Sequence, residues 1–474
     1  MKKYTVIIGL FLLGLSVQSQ QVQWASKLIK FSSDLGGKQN GIKRILGKPD
    51  AFPQGGSSPN AWSPKNALNG YEVIEVGFEK PQIVKQVAVF ENLNAGCVVK
   101  IAVDDGSGSY KTVWNRKKDW KTPTFKASIS ADHNYYFKRK RRKIQEAPDV
   151  INPGIENVIL ENAVSNAVAV KVEFNFALFP GQKQVDAIGI SDSEVLIEAK
   201  INSNSIFENL PNPELIPLGH KAALCPVVSQ NGNTLYFTNS ASEKEQIYSC
   251  SKMADDKWSQ PVLESALNTN ENYNYIEFAA SDFMLLGGAN FIKGTGESGF
   301  SILNGINGKQ QDFETIKIAA FNNYDDTADA TITQDKKIMI LGIETDFTQG
   351  GTDLYFTSRK DDGTYSLLQS MGKIVNSAAN EATPQLLSDT KTLLFSSNGF
   401  SNFGDYDIFI AYRLDDSWKK WSEPVNMGSK INGNGFDASP YYDEKSETLY
   451  YTKFIDGEMS LCFVKIPKID LIEK

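Results

Sequence analysis

The chain is expected to be all-β, with an N-terminal jelly-roll β-sandwich followed by a five-bladed β-propeller. Three observations lead there. Gly, Asn, Asp and Pro clusters recur roughly every eight to twelve residues and separate short alternating runs, with no long helical period. The stretch from about 205 to 468 repeats itself with a period of about 53 residues. Its last copy stops one strand short, and a spare strand precedes its first copy.

At the N-terminus, Lys2 and Lys3, the apolar run from Val6 to Leu15 and the small, polar patch from Ser16 to Gln20 have the layout of a secretory signal, with cleavage expected after Ser19. The run is too short to span a bilayer, and no later stretch approaches the roughly twenty apolar residues a membrane helix needs. No cysteine lies near the cut, which speaks against a lipid-anchored N-terminus. Of 474 residues, 455 remain after that cut, enough for about two to four domains, and 41% hydrophobic content supports ordinary cores. Net charge is −7, and −9 once Lys2 and Lys3 leave, which argues against nucleic acid as a partner.

Cys97, Cys225, Cys250 and Cys462 lie far apart with no Cys-x-x-Cys spacing, against a zinc site and against a small disulfide scaffold. An oxidised pair and buried thiols both remain open. The only histidines are His133 and His220, in different regions, so chemistry that needs His as base or metal ligand has little to work with. No cofactor motif stands out.

The first region, 22–200, alternates in the manner of a sandwich. "YEVIEVGFEKPQIVKQVAVFEN" from Tyr71 puts Ile74, Val76 and Phe78 on one face, and "AVAVKVEFNFALF" from Ala167 alternates again. Between 111 and 162 the pattern breaks into a long polar, basic insertion. Residues 200–220 read as a linker followed by a strand.

The second region, 205–468, holds the repeat. The clearest copy starts at Ala382: strand Leu393, Leu394, Phe395, then a Gly-Asp loop, strand Ile408, Phe409, Ile410, and a fourth strand with Trp421, Pro424 and Val425. Copies begin again at Cys225 and Ala438, and weaker ones at Tyr275 and Ala328. First strands fall near Pro226, Phe278, Thr331, Pro384 and Pro440. The spare strand "PELIPLGHKA" from Pro213, near 213–222, is expected to complete the last blade and close the ring, which protects sheet edges.

With these residues in view, the repeat resembles the TolB-type propeller repeat of outer-membrane-protein-A-family envelope proteins. The run "DIF…W..PVNMG..IN" from Asp407 to Asn432 resembles the version found with type IX secretion and gliding motility. The first region resembles the discoidin-like, galactose-binding-type jelly roll, through "WASKLIKFSS" from Trp24, "LGKPDAFP", "NAWSPKNALNGYEVIEVGFEKPQIVKQVAVFENLNAG" and "QVDAIGISD" ending at Asp192. Relatives often end in a peptidoglycan-binding domain. This sequence stops just after the last blade and carries no type IX sorting domain, so the resemblance implies a periplasmic resident associated with the outer membrane, with the outer surface as the alternative location.

Several residues have chemical potential. Asp325, Asp326, Asp329, Asp405 and Asp407, read as loop residues, could supply paired carboxylates of the glycosidase kind, although turn chemistry explains Asp on loops equally well. A sialidase is excluded because the propeller has only Arg359 and Arg413. No Gly-x-Ser-x-Gly element is present. "KRKRRK", namely Lys138, Arg139, Lys140, Arg141, Arg142 and Lys143, follows Tyr135 and Tyr136 and is joined in the insertion by Arg116, Lys117, Lys118 and Lys121. It is the candidate partner-binding surface, suited to an acidic protein face or lipid headgroup, with a solvated loop as the rival. Asp104 and Asp105 in "DDGSGSY" fit calcium or, more simply, an Asp-Gly hairpin turn. Trp418 and Trp421 fit a sugar platform or, given the echo at Trp258, blade packing.

The function expected is that of a non-catalytic scaffold or adaptor of an outer-membrane or periplasmic protein complex, with type IX secretion or gliding machinery as the leading case. The alternative is a carbohydrate- or peptidoglycan-binding envelope protein, and a glycoside hydrolase is the third reading.

Overall fold

A computed structural model describes residues 20–125, 152–219, 222–242, 244–254, 257–288, 296–306, 312–325 and 328–466. The basic run, Tyr135 and Tyr136, both histidines, Asp326 and the signal-like N-terminus lie outside the described residues.

The first region forms one seven-stranded sheet from β1 (Val22–Trp24), β2 (Lys27–Phe31), β3 (Tyr71–Glu91), β4 (Val98–Asp104), β5 (Tyr110–Asn115), β6 (Gly154–Asn175) and β7 (Ala187–Ser191), in the order β1-β7-β3-β6-β4-β5, with β2 also on β3. β3 and β6, 21 and 22 residues long, pair along their whole length but lose register between Gly77 and Gln86. The early half of β3 pairs with β2 and its late half with β7. Successive strand residues face opposite sides. Even so, Ile74 and Val76 before the break and Val87 and Val89 after it enter one core with Trp62, Val172 and Phe174. The register break changes the parity, and the sheet folds over on itself at that corner to enclose the core. The break in alternation is also shorter than the sequence suggests, because β5 reaches Asn115 and β6 begins at Gly154. The early half of β6, "GIENVILENA", escapes a periodicity reading. Val158 and Leu160 turn inward there beside a buried Glu156, while Ile159 is exposed and Glu161 and Asn162 follow.

A strand-poor stretch follows. It is no loose tether: a one-turn helix, α1 (Ser205–Glu208), buries Phe207 completely among Met427 and Ile431. Next comes β8 (Glu214–Leu215).

The second region is a five-bladed β-propeller of four-stranded antiparallel sheets. Blade 1 holds β9 (Ala223–Val228), β10 (Thr234–Asn239), β11 (Gln246–Ser251) and β12 (Val262–Leu263). Blade 2 holds β13 (Tyr275–Ala279), β14 (Phe283–Gly287), β15 (Glu297–Asn304) and β16 (Asp312–Lys317). Blade 3 holds β17 (Asp329–Ile332), β18 (Ile338–Ile343), β19 (Asp353–Ser358) and β20 (Gln369–Ser370). Blade 4 holds β21 (Glu381–Leu386), β22 (Thr392–Ser397), β23 (Asp407–Tyr412) and β24 (Val425–Asn426). Blade 5 holds β25 (Asp437–Asp443), β26 (Thr448–Ile455) and β27 (Glu458–Lys465), and takes β8 as its fourth strand through Leu215 opposite Cys462. Apolar residues of neighbouring blades share clusters all the way round, with blades 2 and 3 meeting at Phe283, Leu285, Ala330 and Leu341, for example. The ring closes because each face of each sheet needs a neighbour.

In blades 1, 3 and 4 the fourth strand has only two residues, which leaves the start of the third strand open on that side, whereas β16 of blade 2 runs for six residues and pairs back to Glu297. A recurrent asparagine fills the gap. Asn432 accepts from Ile408 N at 2.9 Å and donates to Ile408 O at 3.0 Å. Asn376 does the same to Leu354 at 2.8 and 3.0 Å, and Asn268 to Ile247 at 2.8 and 3.0 Å. The "IN" that ends the repeat signature is therefore a main-chain clamp, since buried N–H and C=O groups must find partners.

Candidate functional site

The propeller axis is built from the first strand of every blade. Each of these is an edge strand, with main-chain groups open toward the axis, and those of blades 1, 3, 4 and 5 are blunted by a side chain of an adjoining blade. Cys225, Glu277, Thr383 and Ser439 sit in register breaks of β9, β13, β21 and β25, with left-handed backbone at Cys225, Thr383 and Ser439 (φ 50, 47 and 53°). A bulge re-aims a side chain. Here the ring runs as follows: Glu277 accepts from Ala330 N, Asp329 Oδ2 from Thr383 N at 3.1 Å, and Thr383 Oγ1 from Ser439 N at 3.1 Å. Ser439 Oγ then meets Cys225 Sγ at 3.4 Å. One level lower, Gln385 clamps Tyr442 by accepting from its N at 2.6 Å and donating to its O at 3.1 Å. Burial lifts the Glu277 carboxyl well above its ordinary range, with Asp329 adding repulsion, and lifts Asp329 itself to about 6. Each axial carboxyl thus already holds a main-chain N–H of the next blade.

The other carboxylates singled out by sequence fall elsewhere. Asp329 and Asp407 begin strands and do not sit on loops, a correction to their expected placement. Asp407 is fully buried, and its Oδ2 accepts from Phe403 N at 2.7 Å and from Asn426 Nδ2 at 2.6 Å. The same cap, an acid accepting from the N–H four residues earlier, recurs at Asp353 with Gln349, Glu381 with Ser377 and Asp437 with Gly433, at 2.8, 2.8 and 2.6 Å. Turn chemistry on the propeller's upper face accounts for these acids. Asp405 is buried and Asp325 is exposed, near enough to Asp329 to add to the rise of its carboxyl.

Asp104 Oδ1 accepts from Gly106 N and Gly108 N at 2.9 and 3.1 Å, and Asp105 pairs with Lys111, so the "DDG" segment is a hydrogen-bonded turn. Among the described residues no group of three or more His, Cys, Asp or Glu could hold a metal. Trp421 is buried in the seam of blades 3 and 4. Trp418 stacks on Phe356 at 6.2 Å, with the Arg413 guanidinium over its ring at 4.3 Å. Packing explains both. All four cysteines are free.

Sequence reasoning missed the interface between the two regions. The loop from Lys38 to Asn60 lies on the upper loops of blades 3 and 4. Asn60, 2% exposed, donates to Gly399 O at 2.6 Å and accepts from Ala378 N at 2.7 Å. Ser401 Oγ donates to Phe52 O at 2.6 Å and Pro49 O at 3.0 Å, Lys38 donates to Asp346 O at 2.8 Å, and Gln54 reaches Asn402 and Gly404 O. Gly399 is required there, because a Cβ would stand 1.8 Å from Ser377 Oγ. Beside this contact Asp50 and Asp186 face each other. Burial raises both carboxyls, Asp50 well above its ordinary range with Asp186 adding repulsion and Asp186 to about 7, while Asp186 accepts from Ala51 N at 3.1 Å. Asn60→Ala is expected to orphan two buried main-chain groups and weaken docking by about 3 kcal/mol. Small-angle scattering and proteolysis within residues 192–204 would then report a looser pair of domains, whereas an unchanged profile would mean that the contact is dispensable.

The opposite, lower mouth is open. Turns joining first to second strands of all five blades surround a funnel of about 770 Å³, lined by Gln230, Ala280, Gln334, Ser388 and Glu444 among others, with Phe278 and Tyr441 deeper in.

No protein-family model matches the chain, and no curated protein matches it. Solved structures are similar over about half of it. A thermostable family-43 glycoside hydrolase is 14% identical, over 53% of this chain and 95% of that one, with a TM-score of 0.34. TolB from Acinetobacter baumannii is 12% identical over 52% and 55%, with a TM-score of 0.32. An endo-arabinase from Bacteroides thetaiotaomicron VPI-5482 is 15% identical over 54% and 98%, with a TM-score of 0.35. The chain's neighbours in structure thus include TolB-type propellers and glycoside hydrolases at low identity.

Proposed function

We propose that the chain is a non-catalytic scaffold of the bacterial envelope, periplasmic and associated with the outer membrane. In this reading the lower mouth of the propeller receives one protein partner, and the N-terminal domain, of the jelly-roll, galactose-binding type by resemblance, holds another. The observation that carries the reading is the division of faces. The upper face of blades 3 and 4 is occupied by the N-terminal domain through buried hydrogen bonds, while the lower funnel of about 770 Å³ is left open and framed by turns from every blade. Rigid blades with converging loops suit partner binding. The axial carboxyls support it too, since each is engaged in holding the next blade.

Export is supported by the signal-like N-terminus, and type IX secretion or gliding machinery is the leading assembly because of the run from Asp407 to Asn432. The basic insertion, Lys138 to Lys143, is the second candidate contact.

The test is capture from native envelopes in mild detergent, followed by mass spectrometry. A defined set of outer-membrane proteins should be retained. It should fall at least ~5-fold, about 1 kcal/mol of affinity, with Gln230→Arg and Gln334→Arg at the exposed funnel rim, and also when Lys138 to Lys143 become Ser. Retention on purified cell wall with no protein captured would instead make the chain a glycan binder.

A further inference from the structure

Between the two domains lies a cavity of about 250 Å³, walled by the docking loop on one side and by the upper loops of blades 3 and 4 on the other. Its lining is rich in carboxamides, including Gln39, Gln54, Asn380 and Asn398, with the ring of Phe400 among them. We infer that this cavity binds a single neutral sugar ring, a hexose or an N-acetylhexosamine, held jointly by both domains. The inference is independent of the scaffold reading.

Four features carry it. The first is charge: no Lys, Arg or His lines the cavity, while Asp50 and Asp405 do, so a phosphate or carboxylate ligand has nothing to attract it. The second is hydrogen-bonding capacity. Asn398 Oδ1 accepts from Asn380 N at 3.0 Å, but its Nδ2 has no acceptor among the described residues. Gln54 spends its Nε2 on Asn402 and Gly404, and its Oε1 has no donor there. Unused donors and acceptors side by side match hydroxyl groups, which are both at once. The third is Phe400, only partly buried, which offers an apolar ring for the C–H face of a pyranose. The fourth is size and place, since the space suits one ring and small-molecule sites favour domain junctions.

The interface already holds the two walls together, so the site is formed before the ligand arrives and is incomplete in either domain alone. Affinity should be modest, with Kd on the order of a millimolar, as expected for one small polar ligand.

The experiment is saturation-transfer NMR and calorimetry on the full chain with galactose, glucose and N-acetylglucosamine as probes. Two variants accompany it. Ser57→Phe changes an exposed residue at the rim and blocks the entrance without touching the core. Asn398→Leu fills the space and removes the unused amide, with its fold verified by melting. At least one probe should bind, and both variants should weaken it ~10-fold or more, the equivalent of about 1.4 kcal/mol. Capture of protein partners should be unaffected, which separates failure here from failure of the scaffold reading. No binding of any probe up to ~20 mM, well above the expected Kd, or binding that survives either variant, would make the cavity a water-filled seam and end the proposal.

Discussion

Replacing Asn432 by alanine is expected to destabilise the propeller by about 4 kcal/mol, which lowers its unfolding temperature by roughly 10 °C. Asn432 is 1% exposed and makes three hydrogen bonds, two to the main chain of Ile408 and one to Asn426 at 2.8 Å. Alanine would remove all three and leave the N–H and C=O of Ile408 buried without partners, and orphaned groups cost more than the bonds themselves are worth. Asn376, also 1% exposed, should behave alike. Asn268 clamps Ile247 in the same way but is half-buried, so water can replace it and Asn268→Ala should cost less. Calorimetric melts of the three variants check the order. A loss at Asn268 as large as at Asn432 would show that burial does not set the effect.

Stability is also expected to fall as pH rises from about 5.5 to 8.5, with the unfolding temperature dropping by at least ~5 °C. Burial raises Glu381 and Asp407 to about 8, Glu91, Glu156 and Asp186 to about 7, and Asp329, Asp353 and Asp437 to about 6. In the unfolded chain such groups titrate near 4, so between that pH and about 8 the folded protein holds more protons. Their contribution is therefore fully present below about pH 4 and is lost as pH rises through the folded values. Glu381→Gln and Asp407→Asn keep the shape of two loop caps without the charge. Together they should flatten the slope and raise the melting temperature at pH 8.5. A melting temperature that rises with pH, or a double variant with an unchanged slope, would mean that these carboxylates are ionised in the fold at little cost.

Much of the propeller was legible because its signals are local. Leu393 to Phe395 and Ile408 to Ile410 alternate with turns of Asn, Gly and Asp, and the repeat places a first strand at each of Pro226, Phe278, Thr331, Pro384 and Pro440. The asparagine clamp was visible in outline, as the "IN", "VN" and "LN" pairs upstream of three first strands, but its purpose was not. Asn432 acts on Ile408, 24 residues earlier, and only the shortness of β24 explains why Ile408 needs a partner. Asp329 and Asp407 looked like loop residues because acids favour turns. Their strand positions follow from the bonds they accept inside the fold.

The sequence by itself determined the all-β class, the count of five blades and the residues that begin them, since these depend on alternation, turn chemistry and a repeat that can be read within a window of about 53 residues. Only the tertiary structure decided how the first domain folds its sheet over, which side chains close the axis, and where the two domains meet. Those outcomes rest on pairs such as Asn60 with Ala378 and Cys225 with Ser439, 318 and 214 residues apart in the chain. No periodicity encodes such pairs. They form because packing brings a buried main-chain group and a side chain of the right shape to the same place, and a polar group left unpaired there is costly.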